Sequence, residues 1–237
     1  MTLNLTKCEH MKVSSKRNPV ENQYYLSNQT LVTVSDYKYL GLNISDNLNW
    51  NTHLNSIINK ANKVLYVTKL TLSRSSTSVK DAAYKAIIRP LLEYSSSVWD
   101  PHQAGQINTI EKIQRKAARF CLNRYNKTDS VSSMIKELNW DSLAKRRKAS
   151  RLSVFCRVFN GEECLQDLHS FVTRAPCERL RHVHPFRVQY IDCDKNIGHN
   201  SFLPRTIREW NTLPKRFMNQ KTIENPGTFR SKLLKNT

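Results

Sequence analysis

The spacing of apolar residues changes at Trp50, and this change narrows the folds that the chain can adopt. Before Trp50, short segments rich in Val, Tyr, Leu and Ile alternate with Asn, Ser and Asp, which is typical of strands joined by turns, and residues 26–31 suit a tight turn between two strands. From Trp50 onward, apolar side chains recur every three or four positions, first at Leu54, Ile57 and Ile58, as on one face of a helix. The pattern predicts an α+β fold that is mainly α, with a small N-terminal antiparallel sheet ahead of a helical bundle.

A proline interrupts the second predicted helix. The apolar row of this helix is predicted to be Val79, Ala82, Ala83, Ala86, Ile87, Leu91, Tyr94 and Val98. Pro90 falls within the row, where it removes one backbone hydrogen bond and crowds the carbonyl of Ala86, at a cost of about 3 kcal/mol. We therefore expect a bend at Pro90, and we expect Tyr94 and Trp99 to lie in the core.

The remaining chain is predicted to be helical at both ends of a less regular stretch. Residues 161–200 contain two prolines and four of the seven histidines, and they predict loops with one short strand over 186–191. The apolar spacing predicts further helices over about 106–122, after Asp129, over about 141–159, near Pro204 and after Pro226.

The charge of the chain points to a polyanionic partner. Lys and Arg number 38 against 19 Asp and Glu, a formal net charge of +19. Residues 111–160 hold 13 of the basic residues and 4 of the acidic ones. Such an excess favours nucleic acid as the partner. A membrane is not expected, because no apolar run approaches the roughly 18 residues of a span. Without a recognisable signal peptide, we expect an intracellular protein with reduced cysteines.

Two groups of cations are candidates for phosphate contacts. One lies on the predicted helix over 106–122 and the other at the start of the helix that follows Asp141. The group members are Lys112, Arg115, Lys116, Arg119, Lys145, Arg146, Arg147 and Lys148. Cations in the first turn of a helix are disfavoured by the helix dipole, so helix electrostatics do not explain the second group, whereas phosphate contacts would. A nuclear import signal and a solvated basic face are the alternatives.

No catalytic site is predicted within this chain. It has no GxSxG, HExxH or P-loop motif, and the acidic pair Asp192 and Asp194 is more typical of a turn than of a metal site. A zinc site built from cysteine and histidine stays open, although its spacing matches no standard finger. The candidate ligands are Cys177, His182, His184, Cys193 and His199.

Several ordered blocks give the chain a resemblance to a known family. They are NLTKCEHM, KYLGLNIS, AAYKAIIRPLLEYSSSVWDP, IEKIQRKAARF, LNWDSLAKRRKASRL and SFLPRTIREWNTLP. In this order the blocks resemble the C-terminal region of reverse transcriptases of non-LTR (LINE-type) retrotransposons, among which Jockey-like elements are the most similar. The resemblance extends over nearly the whole chain and is weakest over residues 161–200.

The resemblance implies a role for each part of the chain. Residues 1–49 would be the end of the polymerase palm, with Lys7 in the position of motif D. Tyr39, Leu40 and Gly41 would form the primer grip, motif E. Residues 50–160 would be the helical thumb, which packs against the primer–template duplex in that family, and residues 161–237 would be a C-terminal region of loops and short helices.

The family's catalytic motif, an aromatic residue followed by alanine and two aspartates, does not occur in this sequence. The resemblance therefore implies a fragment that binds RNA or an RNA–DNA primer–template through its backbone, in a nuclear or cytoplasmic ribonucleoprotein. The fragment would not polymerise DNA alone. Met1 is read as an internal methionine of a longer polymerase, whose N-terminal segments would be partners and would hold the Mg²⁺. The alternative is a domesticated, non-enzymatic module that binds nucleic acid or protein, with or without structural zinc.

Overall fold

Two compact units make up the chain, Met1–Lys60 and Ala61–Thr237. The computed structural model describes residues 4–14, 22–176 and 184–235. The division differs from the predicted boundaries at residues 49/50 and 160/161. Helix is the dominant secondary structure and strand is a minor part, as the apolar spacing predicts.

The first unit contains short strands paired two by two. They are β1 (Glu9–His10), β2 (Tyr25–Leu26), β3 (Gln29–Thr30), β4 (Val32–Thr33), β5 (Asp36–Tyr39) and β6 (Leu42–Ser45). β2 pairs with β3 and β5 with β6, both antiparallel, whereas β1 pairs with β4 in parallel. The expectation of one antiparallel sheet is therefore wrong, since the described strands form three separate two-stranded ladders.

Both hairpins turn through two residues of positive φ. Ser27 and Asn28 have φ of 49° and 61° between β2 and β3, and Leu40 and Gly41 have φ of 46° and 85° between β5 and β6. Two successive residues of positive φ give the backbone twist that matches the right-handed twist of the strands. The predicted turn over residues 26–31 is confirmed, and the residues assigned to the primer grip lie at the tip of the second hairpin.

Eleven α-helical segments follow among the described residues. Their bounds are α1 (Asn51–Thr71), α2 (Thr77–Ala83), α3 (Ser96–Trp99), α4 (Ala104–Leu122), α5 (Val131–Glu137), α6 (Leu143–Phe159), α7 (Gln166–His169), α8 (Asn196–His199), α9 (Phe202–Asn211), α10 (Gln220–Ile223) and α11 (Pro226–Lys235). On the predicted inward face of α1, Leu54 is buried and Ile57 and Ile58 are partly buried, and Ala61 and Leu65 continue the buried face. No helix in the described part of the chain is long and apolar enough to cross a membrane.

The segment around Pro90 changes helix type where one bent helix was expected. α2 gives way to a π-helical turn over Tyr84–Ile88 and then to a 3₁₀ turn over Arg89–Leu92. Pro90 occupies the start of the 3₁₀ turn, where a helix does not require an amide donor. The structure thus accommodates the proline by shortening the α-helix.

The predicted apolar row of this segment is wrong by one position. Val79, Ile87, Tyr94 and Val98 are about half exposed, and only Trp99 of the expected core residues there is fully buried. The buried row is Lys80, Tyr84, Ile88, Leu92 and Ser96, at intervals of four residues. The π-helical turn over Tyr84–Ile88 holds more than 3.6 residues, which places Tyr84 and Ile88 on the same face.

One hydrophobic core of the second unit joins α6 to the C-terminal helices. Its buried members are Leu152, Phe155, Cys156, Phe159, Val188, Ile207, Trp210, Phe217, Met218, Ile223 and Phe229. Burial of this many large side chains is the main stabilising contribution to the unit. Residues on both sides of the predicted boundary at 160/161 therefore share one core. The predicted strand over 186–191 reduces to a single bridge between Arg174 and Val188.

Candidate nucleic-acid interface

A cleft in the second unit brings cations and aromatic rings together. We call it the basic cleft, and its volume is about 380 Å³. Its lining residues are Asn62, Leu65, Tyr66, Lys69, Lys116, Arg119 and Tyr125. The lining carries three cationic side chains and no carboxylate.

Helical spacing places these side chains on one wall or the other. Residues 62, 65, 66 and 69 lie three or four positions apart on α1 and so share a face. Lys116 and Arg119 share a face of α4 in the same way. Asn123 follows the last residue of α4 and has a φ of 53°, while the amide of Arg124 donates to the carbonyl of Arg119 at 3.1 Å. This C-terminal capping motif turns the chain, and Tyr125 follows directly after it.

Neutral groups hold the cations of the basic cleft. Lys116 Nζ donates to Asn62 Oδ1 at 3.2 Å, and Arg119 Nη1 donates to the carbonyl of Asn126 at 3.2 Å. Within the described ranges, Lys69, Lys116 and Arg119 form no ion pair with a carboxylate. Burial, together with the charge of Lys116, lowers the pKa of Lys69 below its ordinary value of 10.5. The cleft therefore disfavours its own positive charge and would gain from an anion.

The two tyrosines of the basic cleft present their rings to solvent. Tyr66 is 63% exposed and Tyr125 is 54% exposed, whereas Leu65 beneath them is buried. Lys69 Nζ lies 6.0 Å from the centre of the Tyr125 ring, within the range of a cation–π contact. Partial burial raises the pKa of the Tyr125 hydroxyl, and the nearby Cys121 raises it further. The ring is therefore uncharged at neutral pH.

The cations at the start of α6 have a different environment. Lys145 Nζ pairs with Asp141 Oδ1 at 2.6 Å, and Arg146 Nη2 donates to Glu93 Oε2 at 2.9 Å. The hydrogen bond to Glu93 raises the pKa of Arg146. Lys148 is the most exposed of the four, and its Nζ lies 3.6 Å from Glu209. Each of these charges has a carboxylate of the chain beside it.

Arg147 belongs to a group that we call the buried arginine cluster, which comprises Arg147, Arg151 and Arg205 around Asp100. Arg147 is fully buried and its Nε donates to Asp100 Oδ1 at 2.9 Å. Arg151 Nη1 donates to Asp100 Oδ2, and Arg205 Nη1 donates to the Asp100 carbonyl at 2.7 Å. Glu209 adds a second carboxylate, 2.7 Å from Arg151 Nη2 but without hydrogen-bond geometry.

Residues 145–148 therefore do not present one exposed cationic face, and their assignment to phosphate contacts stays a prediction. Arg147 has no exposed surface, and Arg146 is mostly buried against Glu93. Arg147 and Arg151 lie on α6, Arg205 lies on α9, and Asp100 directly follows α3. Their shared contacts with Asp100 hold these three helices together. Alanine replacements of all four residues would remove internal ion pairs, so a loss of binding in such a variant would not identify a phosphate contact.

The other predicted binding residues are spread over both units. On α4, Lys112 is exposed, and Arg115 is partly exposed and donates to the carbonyl of Asn108 at 3.2 Å. In the first unit, Tyr39 and Leu40 are exposed beside Gly41 at the hairpin tip, and Lys7 is exposed at the end of a 3₁₀ turn.

The described part of the chain contains no group of three metal-ligating side chains. Cys177 and His182 lie outside the described residues. His184 is buried, with Nε2 bonded to the Trp210 carbonyl at 3.0 Å and Nδ1 accepting from the amide of Phe186 at 3.2 Å. His199 Nδ1 contacts Arg208, Cys193 is partly exposed, and Asp192 and Asp194 are exposed. Among the zinc candidates, His184 therefore has both ring nitrogens engaged within the protein.

The sequence prediction located part of the basic cleft and missed the rest. Lys116 and Arg119 were predicted, but Tyr66, Lys69 and Tyr125 were not. The spacing of residues 62, 66 and 69 on the polar side of α1 is a usable signal, whereas nothing local connects Tyr125 to α1. A comparison with protein-family models, with characterised proteins and with solved structures found no significant match to this chain.

Proposed function

We propose that the chain binds nucleic acid through the basic cleft, as the thumb-like C-terminal part of a retrotransposon reverse transcriptase. The ordered sequence blocks support the family assignment. The observation that carries the binding function is the set of three cations, Lys69, Lys116 and Arg119, converging on one cleft without a carboxylate. Catalysis of polymerisation is not assigned to residues of this chain. The partner would be RNA or an RNA–DNA primer–template within a ribonucleoprotein.

Phosphate is the anion that this arrangement fits best. Three cationic groups on two facing helices can contact neighbouring non-bridging oxygens, and Arg119 can present two N–H groups to one phosphate. Backbone contacts of this kind release counterions from the nucleic acid, so the affinity falls steeply with salt. Lys112 and Arg115 on α4 would extend the same basic surface along the strand.

The test is a salt titration with a triple variant. A fluorescently labelled RNA template annealed to a shorter DNA primer is titrated with the chain from about 50 to about 200 mM salt. In Lys69→Gln/Lys116→Gln/Arg119→Gln, the slope of log affinity against log salt should fall in magnitude by about 2 to 3, because each lost phosphate contact removes about 0.7 to 0.9.

A charge-matched variant separates the cleft from general positive charge. Arg124→Gln/Lys148→Gln/Arg157→Gln also removes three cations, but each of these already pairs with a carboxylate and is about half exposed. Its salt slope should stay close to that of the unmodified chain. Equal losses in both triple variants, or binding that neither variant weakens, would contradict the proposal.

A further inference from the structure

We infer that the basic cleft takes an unpaired nucleotide, with the base against the exposed tyrosine rings and the phosphate on the three cations, so that the chain prefers single strands to duplexes. The inference rests on the proposed function, because it names the form of nucleic acid that the same site recognises. The juxtaposition that carries it is two aromatic rings and three unneutralised cations lining one cleft.

The exposure of the tyrosines is the first part of the argument. The core accounts for Tyr84, which is buried and stacks on Trp140 with ring centres 4.1 Å apart. Tyr66 and Tyr125 are more than half exposed instead, and both line the cleft. An exposed aromatic ring beside cations can stack on the face of any base, and such stacking is available only when the base is unpaired or splayed out.

The size and shape of the cleft are the second part. A volume of about 380 Å³ falls within the range of about 300 to 1,000 Å³ that is usual for small-molecule sites. The apolar side of this space includes Leu65, and the polar side carries the cations. A concave site of this size suits one nucleotide, whereas the bases of a duplex stay stacked inside the helix and cannot enter it.

The position of Lys69 links the two halves of the proposed site. Its ammonium group lies 6.0 Å from the Tyr125 ring centre and is close enough to Lys116 for the two charges to repel. A phosphate bound between the lysines would relieve that repulsion while the attached base remained within reach of the ring. The cations alone would accept any polyanion, and the rings add the requirement for an exposed base.

The experiment compares four probes of equal length, about 12 nucleotides, by fluorescence anisotropy at one salt concentration. They are single-stranded RNA, single-stranded DNA, a blunt duplex and a DNA strand in which every base is replaced by an abasic site. The single strands should bind more tightly than the duplex and the abasic strand, although the abasic strand has the same phosphates. A difference between the RNA and DNA arms identifies which strand the site prefers.

Two variants locate the effect. Tyr66→Ala/Tyr125→Ala should lose about 5- to 150-fold in affinity for the single strand, the range expected from removing base stacking, while its affinity for the abasic strand stays unchanged. Tyr66→Phe/Tyr125→Phe keeps the rings and should bind as the unmodified chain does. Because both side chains are largely exposed, neither variant should alter the unfolding transition, which a urea titration checks.

The outcomes separate this inference from the proposed function. Tighter or equal binding of the duplex, or equal binding of abasic and base-bearing strands, overturns the inference while leaving a backbone-binding role in place. An absence of binding to all four probes overturns the inference and the proposed function together.

Discussion

The basic cleft and the buried arginine cluster are both made from cations, and they differ in where the counter-charges lie. In the buried arginine cluster, Asp100 accepts from three arginines and is itself nearly buried. In the basic cleft, the nearest partners of Lys116 and Arg119 are an amide oxygen and a backbone carbonyl. The fold supplies the negative charge that the buried arginine cluster needs. The cations of the basic cleft are left for an anionic ligand to neutralise.

The comparison shows that density of charge along the sequence does not identify a binding surface. Residues 145–148 are the densest run of cations in the chain. Carboxylates distant in the sequence, those of Glu93, Asp100 and Glu209, nevertheless neutralise most of them. The cleft cations are spread over two helices and are less conspicuous in the sequence. A cation is available to a polyanion only when the folded chain supplies no acid beside it.

The largest expected effect is on stability. Asp100→Asn keeps the size of the side chain but removes the charge that pairs with Arg147, Arg151 and Arg205. Removing one partner of a buried ion pair costs about 3 to 5 kcal/mol, because the remaining charges are left uncompensated in the interior. We expect a loss of this size in the free energy of unfolding, measured by urea denaturation.

Glu137→Gln is the matched control for that change. Glu137 pairs with Arg124 at 2.7 Å, but both side chains are about half exposed. Exposed pairs contribute about 0 to 1 kcal/mol, so this variant should unfold at nearly the same urea concentration as the unmodified chain. Similar losses for both variants would mean that burial does not distinguish the two basic regions.

A pH titration should show that the basic cleft contains a lysine whose pKa is lowered. The pKa of Lys69 is lowered by burial and by Lys116, so in the free chain this lysine loses its proton below pH 10.5. Because a bound phosphate favours the charged form, binding takes up a proton in that range, and the affinity for single-stranded DNA falls as the pH rises. The measurement is anisotropy between about pH 7 and about pH 10.

Lys69→Arg separates this residue from the other lysines. Arginine keeps its charge throughout the range, so the variant should lose less affinity with rising pH than the unmodified chain does. An identical pH dependence of the two proteins would show that no anion contacts position 69.

The smallest expected effect comes from removing a negative charge beside the N-terminus of α6, whose first turns carry cations. Glu111 of α4 accepts from the amide of Ala144 at 2.8 Å, and Ser142 Oγ accepts from the amide of Lys145 at 3.1 Å. Glu111→Gln keeps an oxygen acceptor but removes the negative charge at the helix N-terminus. We expect a loss of about 0.3 to 1 kcal/mol in unfolding free energy, and a loss as large as that of Asp100→Asn would contradict this assignment.

The regular helices were predictable because their information is local. Apolar spacing located α1, α4 and α6, and the turn residues Ser27 and Asn28 located the first hairpin. The prediction that the row from Val79 to Val98 is buried was wrong for a physical reason. The prediction assumed a constant 3.6 residues per turn, whereas the π-helical and 3₁₀ turns around Pro90 change that number and bury Tyr84 and Ile88 instead.

The sequence by itself determined the excess of positive charge, the switch from strands to helices at Trp50 and the helical faces that carry Lys116 and Arg119. Only the tertiary structure decided which cations are neutralised. Glu93 lies 53 residues before Arg146, and Asp100 lies 47 residues before Arg147. Local periodicity contains no information about pairing over such separations, since it depends on how whole helices pack against each other. The same packing sets Tyr125 beside α1, and among the residues that the structure describes it leaves the cations of the basic cleft without a neutralising carboxylate.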